Sequence, residues 1–219
     1  MSESPSTGAS HPAPSGGATP DRPPLGKLAP GALRDRVLAH LGAARDDVVL
    51  GPAPGVDAAL VRLQGGNVLA LTTDPLSLVP AIGIEASARL AAHLVASDLW
   101  TTGVQPAWAA VTLNLPPQLS DLDLERYAAA LGAAWRELGV AVVTGHTGRY
   151  AGCDLTIVGA CTLVGVGDAA RTVGPAHARA GDRVIVTKGC AVETTALAAW
   201  IAPGRLAAHA GAAVAARAR

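Results

Sequence analysis

The chain has 219 residues, half of them hydrophobic, with 17 basic and 17 acidic side chains. That balance argues against the clustered basic surface that non-specific nucleic-acid binding needs. No apolar run reaches membrane-spanning length, and no basic stretch followed by an apolar one opens the chain, so neither a membrane partner nor a secretory signal is expected and the sequence reads as cytoplasmic. Cys153, Cys161 and Cys190 show no C-x-x-C spacing, and their odd count argues against a disulfide framework. Phe is absent, so the core has to be built from Leu, Val and Ala.

Residues 1–24 are rich in Pro, Ser, Gly and Thr and are expected to form a disordered tail. The spacing of Leu33, Val37 and Leu41 predicts a first helix over GALRDRVLAHLG. Two short apolar runs, AALVRL and VLALTT, are joined by QGGN, which is hairpin turn chemistry. Residues 83–103, with Gly at both ends and no Pro, read as a helix, and AWAAVTLNLP as a strand closed by Pro116 and Pro117. LSDLDLERYAAALGAAWRELG predicts another helix with Ser120 as its N-cap. VAVVTG and LTIVGACTLVGVG read as strands. Composition shifts near GDAARTVGPAHARAGD, after which RVIVTKG reads as a strand and VETTALAAWIAP and GRLAAHAGAAVAARAR as helices. One strand and two helices do not complete a core. The expected division is therefore a domain over 25–168 and the start of a truncated second domain over 169–219.

Chemistry concentrates at three carboxylates. Asp57 precedes the first strand of the hairpin and Asp74 follows the second run, so an antiparallel pair brings both to one sheet edge. On a helical wheel at about 100° per residue, Asp98 shares a stripe with Ile84, Ala91 and Leu94, while Arg89 lies opposite. A lone carboxylate on a mostly apolar face is costly unless paired, protonated or bound to a cation. Each aspartate also has a plainer reading: Asp98 as a loop cap, Asp57 as an Asx-turn residue, Asp74 as a strand end before Pro75. Together they resemble a hard-cation site, because Mg²⁺ takes oxygen ligands from a few carboxylates plus substrate phosphates. His146, alone in a Gly-Thr stretch, reads more readily as a hydrogen-bonded structural residue than as an acid or base. The four tryptophans, Trp100, Trp108, Trp135 and Trp200, sit among apolar neighbours and read as core or interface packing.

The order GVDAAL, LALTTDP, AIGIEASARLAAHLVASDLWTTGVQP, LGVAVVTGHTGRYAG, GDRVIVTKG resembles the aminoimidazole ribonucleotide synthetase superfamily, and most closely its synthetase-related branch. That superfamily includes thiamin-monophosphate kinase, selenophosphate synthetase and the hydrogenase-maturation dehydratase. The resemblance implies an α/β (α+β) fold whose N-terminal domain binds ATP and forms half of a dimeric β-barrel, followed here by an incomplete α/β domain. It implies ATP and Mg²⁺ as cofactors, a small-molecule substrate and a homodimer built through the N-terminal domain. Carried over by position, Asp57, Asp74 and Asp98 would be magnesium ligands, direct or through water. Gly145, His146 and Thr147 match a G-G-x-T loop that would face nucleotide phosphate, and Lys27 matches an N-terminal GK whose cation could reach phosphates.

Departures accompany the match. Val56 stands where many relatives carry a second acid, Thr144 replaces the first Gly of a GGHT pattern, and Gly148 replaces the acid after it. Ala191 and Thr194 occupy two positions that are Gly in relatives, while Glu193 is kept. No Cys precedes the hairpin, which argues against selenophosphate-synthetase activity. The expected function is phosphoryl transfer or ATP-driven dehydration or cyclisation on an unspecified substrate. The alternative is a non-catalytic dimerising module or a truncated remnant that pairs with a full-length paralogue.

Overall fold

The computed structural model describes residues 25–187 and 189–218, so the tail expected over 1–24 lies outside the described residues. Six strands form one mixed sheet: β1 (Val48–Leu50), β2 (Ala59–Arg62), β3 (Asn67–Ser77), β4 (Trp108–Leu115), β5 (Ala141–Arg149) and β6 (Ile157–Asp168). Their spatial order is β1-β2-β3-β6-β4-β5, antiparallel throughout except for the parallel pair β4 and β5. The parallel pair requires a crossover. It is supplied by helix α3 (Asp121–Glu137), while α2 (Ile84–Trp100) links β3 to β4.

The hairpin of β2 and β3 forms where QGGN was expected to turn the chain, with Ala59 opposite Leu71 and Arg62 opposite Val68. Gly65 and Gly66 take φ of 72° and 79° there, values that L side chains rarely adopt. β3 does not stop before Pro75, as the sequence suggested, but runs on to Ser77. Since β2 ends opposite Leu71, Pro75 has a strand neighbour on one side only, and an edge position tolerates a missing N–H.

Helix α2 follows its N-cap Gly83 and buries Ser87, Ala88, Ala91, Ala92, Val95, Ala96 and Leu99. Its alanines let the helix approach the sheet closely, against Leu60, Val68, Ala70, Leu76 and Leu163. The one polar member of that face is satisfied: the Ser87 hydroxyl accepts the Val79 N–H at 2.9 Å and donates to the Gly83 carbonyl at 2.6 Å. Ser120 caps α3 as expected, its hydroxyl accepting the Asp123 N–H at 3.1 Å. Helix α3 contributes Tyr127, Leu131, Ala134 and Trp135 to the core, so the missing phenylalanines are offset by two large aromatics. Trp135 is the one tryptophan buried in that core, whereas Trp100, Trp108 and Trp200 are each about 40 % exposed.

Three expectations are corrected outside this core. The first helix is shorter: α1 (Pro30–Arg36) ends before Val37, and a 3-10 turn follows at Leu38–His40. No residue of α1 is buried, so nothing beyond local propensity prolongs it. RVIVTKG does not form a strand, since 183–186 pair with no other segment among the described residues and Val184 and Ile185 are exposed. The last Ala-rich stretch is two helices, α5 (Pro203–Ala210) and α6 (Ala212–Arg217), separated at Gly211 with φ of 89°. They follow α4 (Val192–Ile201), which matches expectation. Ala191 precedes α4 in the left-handed region, at φ 56° and ψ 39°, the geometry a glycine would take without penalty.

Candidate active site

Three elements deliver the aspartates. Asp57 leaves the turn at Ala53–Val56 just before β2, Asp74 lies within β3 opposite Cys161, and Asp98 sits in the last turn of α2. The carboxyls of Asp74 and Asp98 come within hydrogen-bonding reach of each other. Burial is the largest effect on Asp98. With the contact to Asp74 and the charges of Asp74 and Asp57, it pushes the Asp98 carboxyl up from 3.8 to about 7, against the opposing pull of Lys27. Asp98 occupies the margin of the buried helix face, half-buried, rather than its centre. The Lys27 ammonium stands 3.4 Å from the Asp57 carboxylate, with Lys27 almost fully exposed and Asp57 half exposed. Four of the seven residues gathered from the sequence as metal or phosphate contacts, Lys27, Asp57, Asp74 and Asp98, are therefore neighbours.

Among the described residues no set of three His, Cys, Asp or Glu is arranged to grip a metal ion directly. Two close carboxylates with a third further off suit a cation that keeps much of its water, as Mg²⁺ does. A cleft of about 550 Å³ opens beside Asp57, lined by Lys27, Leu28, Pro30 and Leu33 on one side and by Ala53–Asp57 on the other.

Gly145, His146 and Thr147 are not in a loop. They belong to β5, paired with Val111, Thr112 and Leu113 of β4. Gly145 shares a cross-strand row with Val111, Cys161 and Asp74, three strands away, which is roughly 14 Å at the usual strand spacing. His146 falls in the next row with Thr112, Ala160 and Pro75, and so projects from the opposite face to Asp74. Within one chain the aspartates and this stretch do not meet. Gly145 has a packing reason to be glycine, because a Cβ there would overlap the Val111 carbonyl. His146 Nε2 is 2.5 Å from the Tyr150 hydroxyl, and the Tyr150 ring occupies the space a side chain at Gly148 would need.

Two residues were not singled out from the sequence. Tyr150 carried no signal, being a lone aromatic beyond a strand. Thr72 did carry one: it lies two positions before Asp74, hence on the same face of β3. Its hydroxyl donates to the main-chain carbonyl of Asp57 at 2.6 Å.

A two-layer α/β sandwich with clustered carboxylates at one sheet edge defines a class of proteins that the comparisons identify. The family described as "AIR synthase related protein, N-terminal domain" matches residues 55–166, about half of the chain and including all three aspartates, and the chain belongs to it. Selenide, water dikinase of Geobacter metallireducens is 32% identical over 189 residues, covering 81% of this chain and 52% of that protein. Carbamoyl dehydratase HypE of Rhizobium leguminosarum bv. viciae is 28% identical over 139 residues, covering 61% of this chain and 38% of that protein. The chain thus spans about half the length, or less, of these curated relatives. Thiamine-monophosphate kinase from Stenotrophomonas maltophilia shares the fold, with a TM-score of 0.54 at 23% identity over 85% of this chain and 59% of that one. No helix among the described residues is long and apolar enough to cross a membrane.

Proposed function

We propose that this chain is the nucleotide-binding part of an ATP- and Mg²⁺-dependent enzyme that transfers a phosphoryl group to a small molecule or uses ATP to drive a dehydration or cyclisation. The observation that carries this reading is the approach of Asp74 to Asp98, with Asp57 adding to the same negative field. Uncompensated, that arrangement raises the cost of ionising Asp98. Asp57, Asp74 and Asp98 would hold a hydrated divalent cation, which would supply the charge neutralisation that, with positioning, is most of what such chemistry asks of a protein. Lys27 contacts Asp57 from a highly exposed position, which supports its turning to a phosphate oxygen when nucleotide is bound. Family membership and the dikinase and dehydratase names of the curated relatives support the same reading.

Residues 25–168 are the proposed nucleotide-binding and dimerisation domain, and 169–219 the start of a second. The face of the sheet turned away from α2 and α3 presents Leu69, Leu71, Val164, Val166, Trp108 and Ala110 in adjoining rows, with Val166 44 % and Trp108 42 % exposed. Such a face supports pairing of two copies into a closed barrel. Pairing also gives Gly145, His146 and Thr147 a route to nucleotide bound at the other copy's aspartates. A non-catalytic module is not favoured, since both curated relatives named above are enzymes. Calorimetric titration with ATP, with and without Mg²⁺, tests the reading. Magnesium-dependent binding that Asp74→Asn abolishes is expected; binding unchanged by that substitution overturns the cation site.

A further inference from the structure

We propose that Thr72 is a positioning residue for the acidic site: its buried hydroxyl holds the Asp57 carbonyl and so fixes the main chain that presents the Asp57 carboxylate toward Asp74 and Asp98. This rests on the reading of those aspartates as a cation site.

The argument begins with a gap in the main-chain bonding. The turn before β2 closes at Val56, whose N–H bonds the Ala53 carbonyl at 3.1 Å, and the β2–β3 ladder begins only at Ala59 opposite Leu71. Asp57 and Ala58 lie between these two anchors. Thr72 is the residue just past the end of the ladder on β3, and its 2.6 Å bond to the Asp57 carbonyl spans the gap. The same strand then supplies Asp74 two residues later on the same face, so one rigid element carries a candidate ligand and the clamp for another.

The choice of residue carries the second half of the argument. The buried face of β3 reads Val68, Ala70, Thr72 and Leu76, and Thr72 is only 2 % exposed. Valine would fill that space without a hydroxyl to satisfy, and burying a hydroxyl is unfavourable unless it is hydrogen-bonded. A threonine here gains one contact a valine cannot make, and that contact is to Asp57. Groups that orient a ligand from behind typically account for 10–100-fold of metal affinity.

The test is Mn²⁺ titration followed by electron paramagnetic resonance on the full chain, comparing wild type, Thr72→Val, Thr72→Ser, Asp57→Asn and Asp74→Asn. Thr72→Val should bind Mn²⁺ about 10-fold more weakly or worse, Thr72→Ser should stay near wild type, and Asp74→Asn should lose binding. In the Asp57→Asn background, Thr72→Val should have no further effect, because Thr72 acts through Asp57; a side chain that merely packs would weaken both backgrounds alike. Wild-type affinity in Thr72→Val, with binding lost in Asp74→Asn, overturns the role of Thr72 and leaves the cation site standing. A wild-type chain that binds no Mn²⁺, or an Asp74→Asn chain that binds it normally, overturns the cation site and this inference with it. If Thr72→Val does not fold, Thr72→Ala and Thr72→Ser, which differ by one oxygen, decide the question in the same assay.

Discussion

Asp74 on β3 and Asp98 on α2 place their carboxyl groups within hydrogen-bonding reach of each other, across the seam where the sheet meets its covering helix. Burial is the largest cost of ionising Asp98, and the neighbouring Asp74 carboxyl adds to it. The Asp98 carboxyl therefore keeps its proton toward neutral pH or requires a cation.

The direction of the resulting pH dependence follows. Asp98 is held at about 7 in the fold against 3.8 for an ordinary aspartate, so between those values the folded chain binds the proton and the unfolded chain releases it. This contribution to stability is complete below about 4 and is lost as pH rises through about 7. Without divalent cations, thermal melting should give a lower midpoint above pH 7 than at pH 5. Asp98→Asn should flatten that slope and melt above wild type on the alkaline side. Mg²⁺ should reverse the order by stabilising wild type most where the carboxyls are ionised, and not the variant. A wild-type slope that Asp98→Asn leaves intact would assign the effect to other groups.

The sheet and its helices were readable because their signals are local. QGGN turns the hairpin, Ser120 caps α3, and Gly83 marks the start of α2. What failed depended on neighbours. The plainer reading of Asp74 as a strand end before Pro75 fails because whether a proline is tolerated depends on which side of the strand is paired. The family resemblance implies a loop at Gly145–Thr147, but β4 supplies a partner that keeps them extended, continuing the strand that VAVVTG begins. The stripe through Ile84, Leu94 and Asp98 was off-centre because the alanines at 88, 92 and 96 bury a wider face than large side chains would mark. At the site, the grouping of Asp57, Asp74 and Asp98 was legible from the hairpin and the wheel. The Thr72 contact was not, since a hydroxyl in a strand says nothing of which carbonyl it meets.

Close backbone approach explains two glycines without invoking ligand. A Cβ on Gly159 would overlap the Thr112 carbonyl oxygen between β6 and β4, as one on Gly145 would overlap that of Val111 between β5 and β4. Neither obstacle is a flexible side chain. Gly159→Ala should therefore cost about 3 kcal/mol, the upper end of ordinary overpacking, measured by urea unfolding. Gly145→Ala should lose comparable stability even without nucleotide. A stable Gly145→Ala chain that loses only nucleotide affinity would return Gly145 to a purely ligand-facing role.

The Tyr127 hydroxyl donates to the Ser77 carbonyl at 3.0 Å and ties α3 to the end of β3. Burial raises the phenol above its ordinary value, so it stays a neutral donor across the working pH range. Tyr127→Phe keeps the ring in the core and removes only the bond, which should cost about 1 kcal/mol with no change in Mg²⁺ affinity. Loss of cation binding in this variant would show that the β3 end and the aspartates move together.

The open face of the sheet makes the last prediction. Val166 and Leu69 are cross-strand partners on that face, next to the row of Leu71, Val164 and Trp108. β1 at one edge exposes Val48 and Val49, and β5 at the other exposes Val142 and Val143, so neither the face nor its edges are shielded within the described residues. Contiguous apolar surface of this kind marks an interface, and unpaired strand edges invite pairing. Sedimentation of the full chain should therefore report a dimer. Val166→Glu places a carboxylate in the middle of the apposed surface, where burying it unpaired is costly, and should shift the chain to monomer. Because Asp74 and Asp98 lie on the helix-covered side of the sheet, the monomeric variant should retain Mn²⁺ binding. Its nucleotide affinity should fall if Gly145–Thr147 of one copy serve the aspartates of the other. Full nucleotide affinity in a monomer would show that one chain's aspartates and Lys27 are enough.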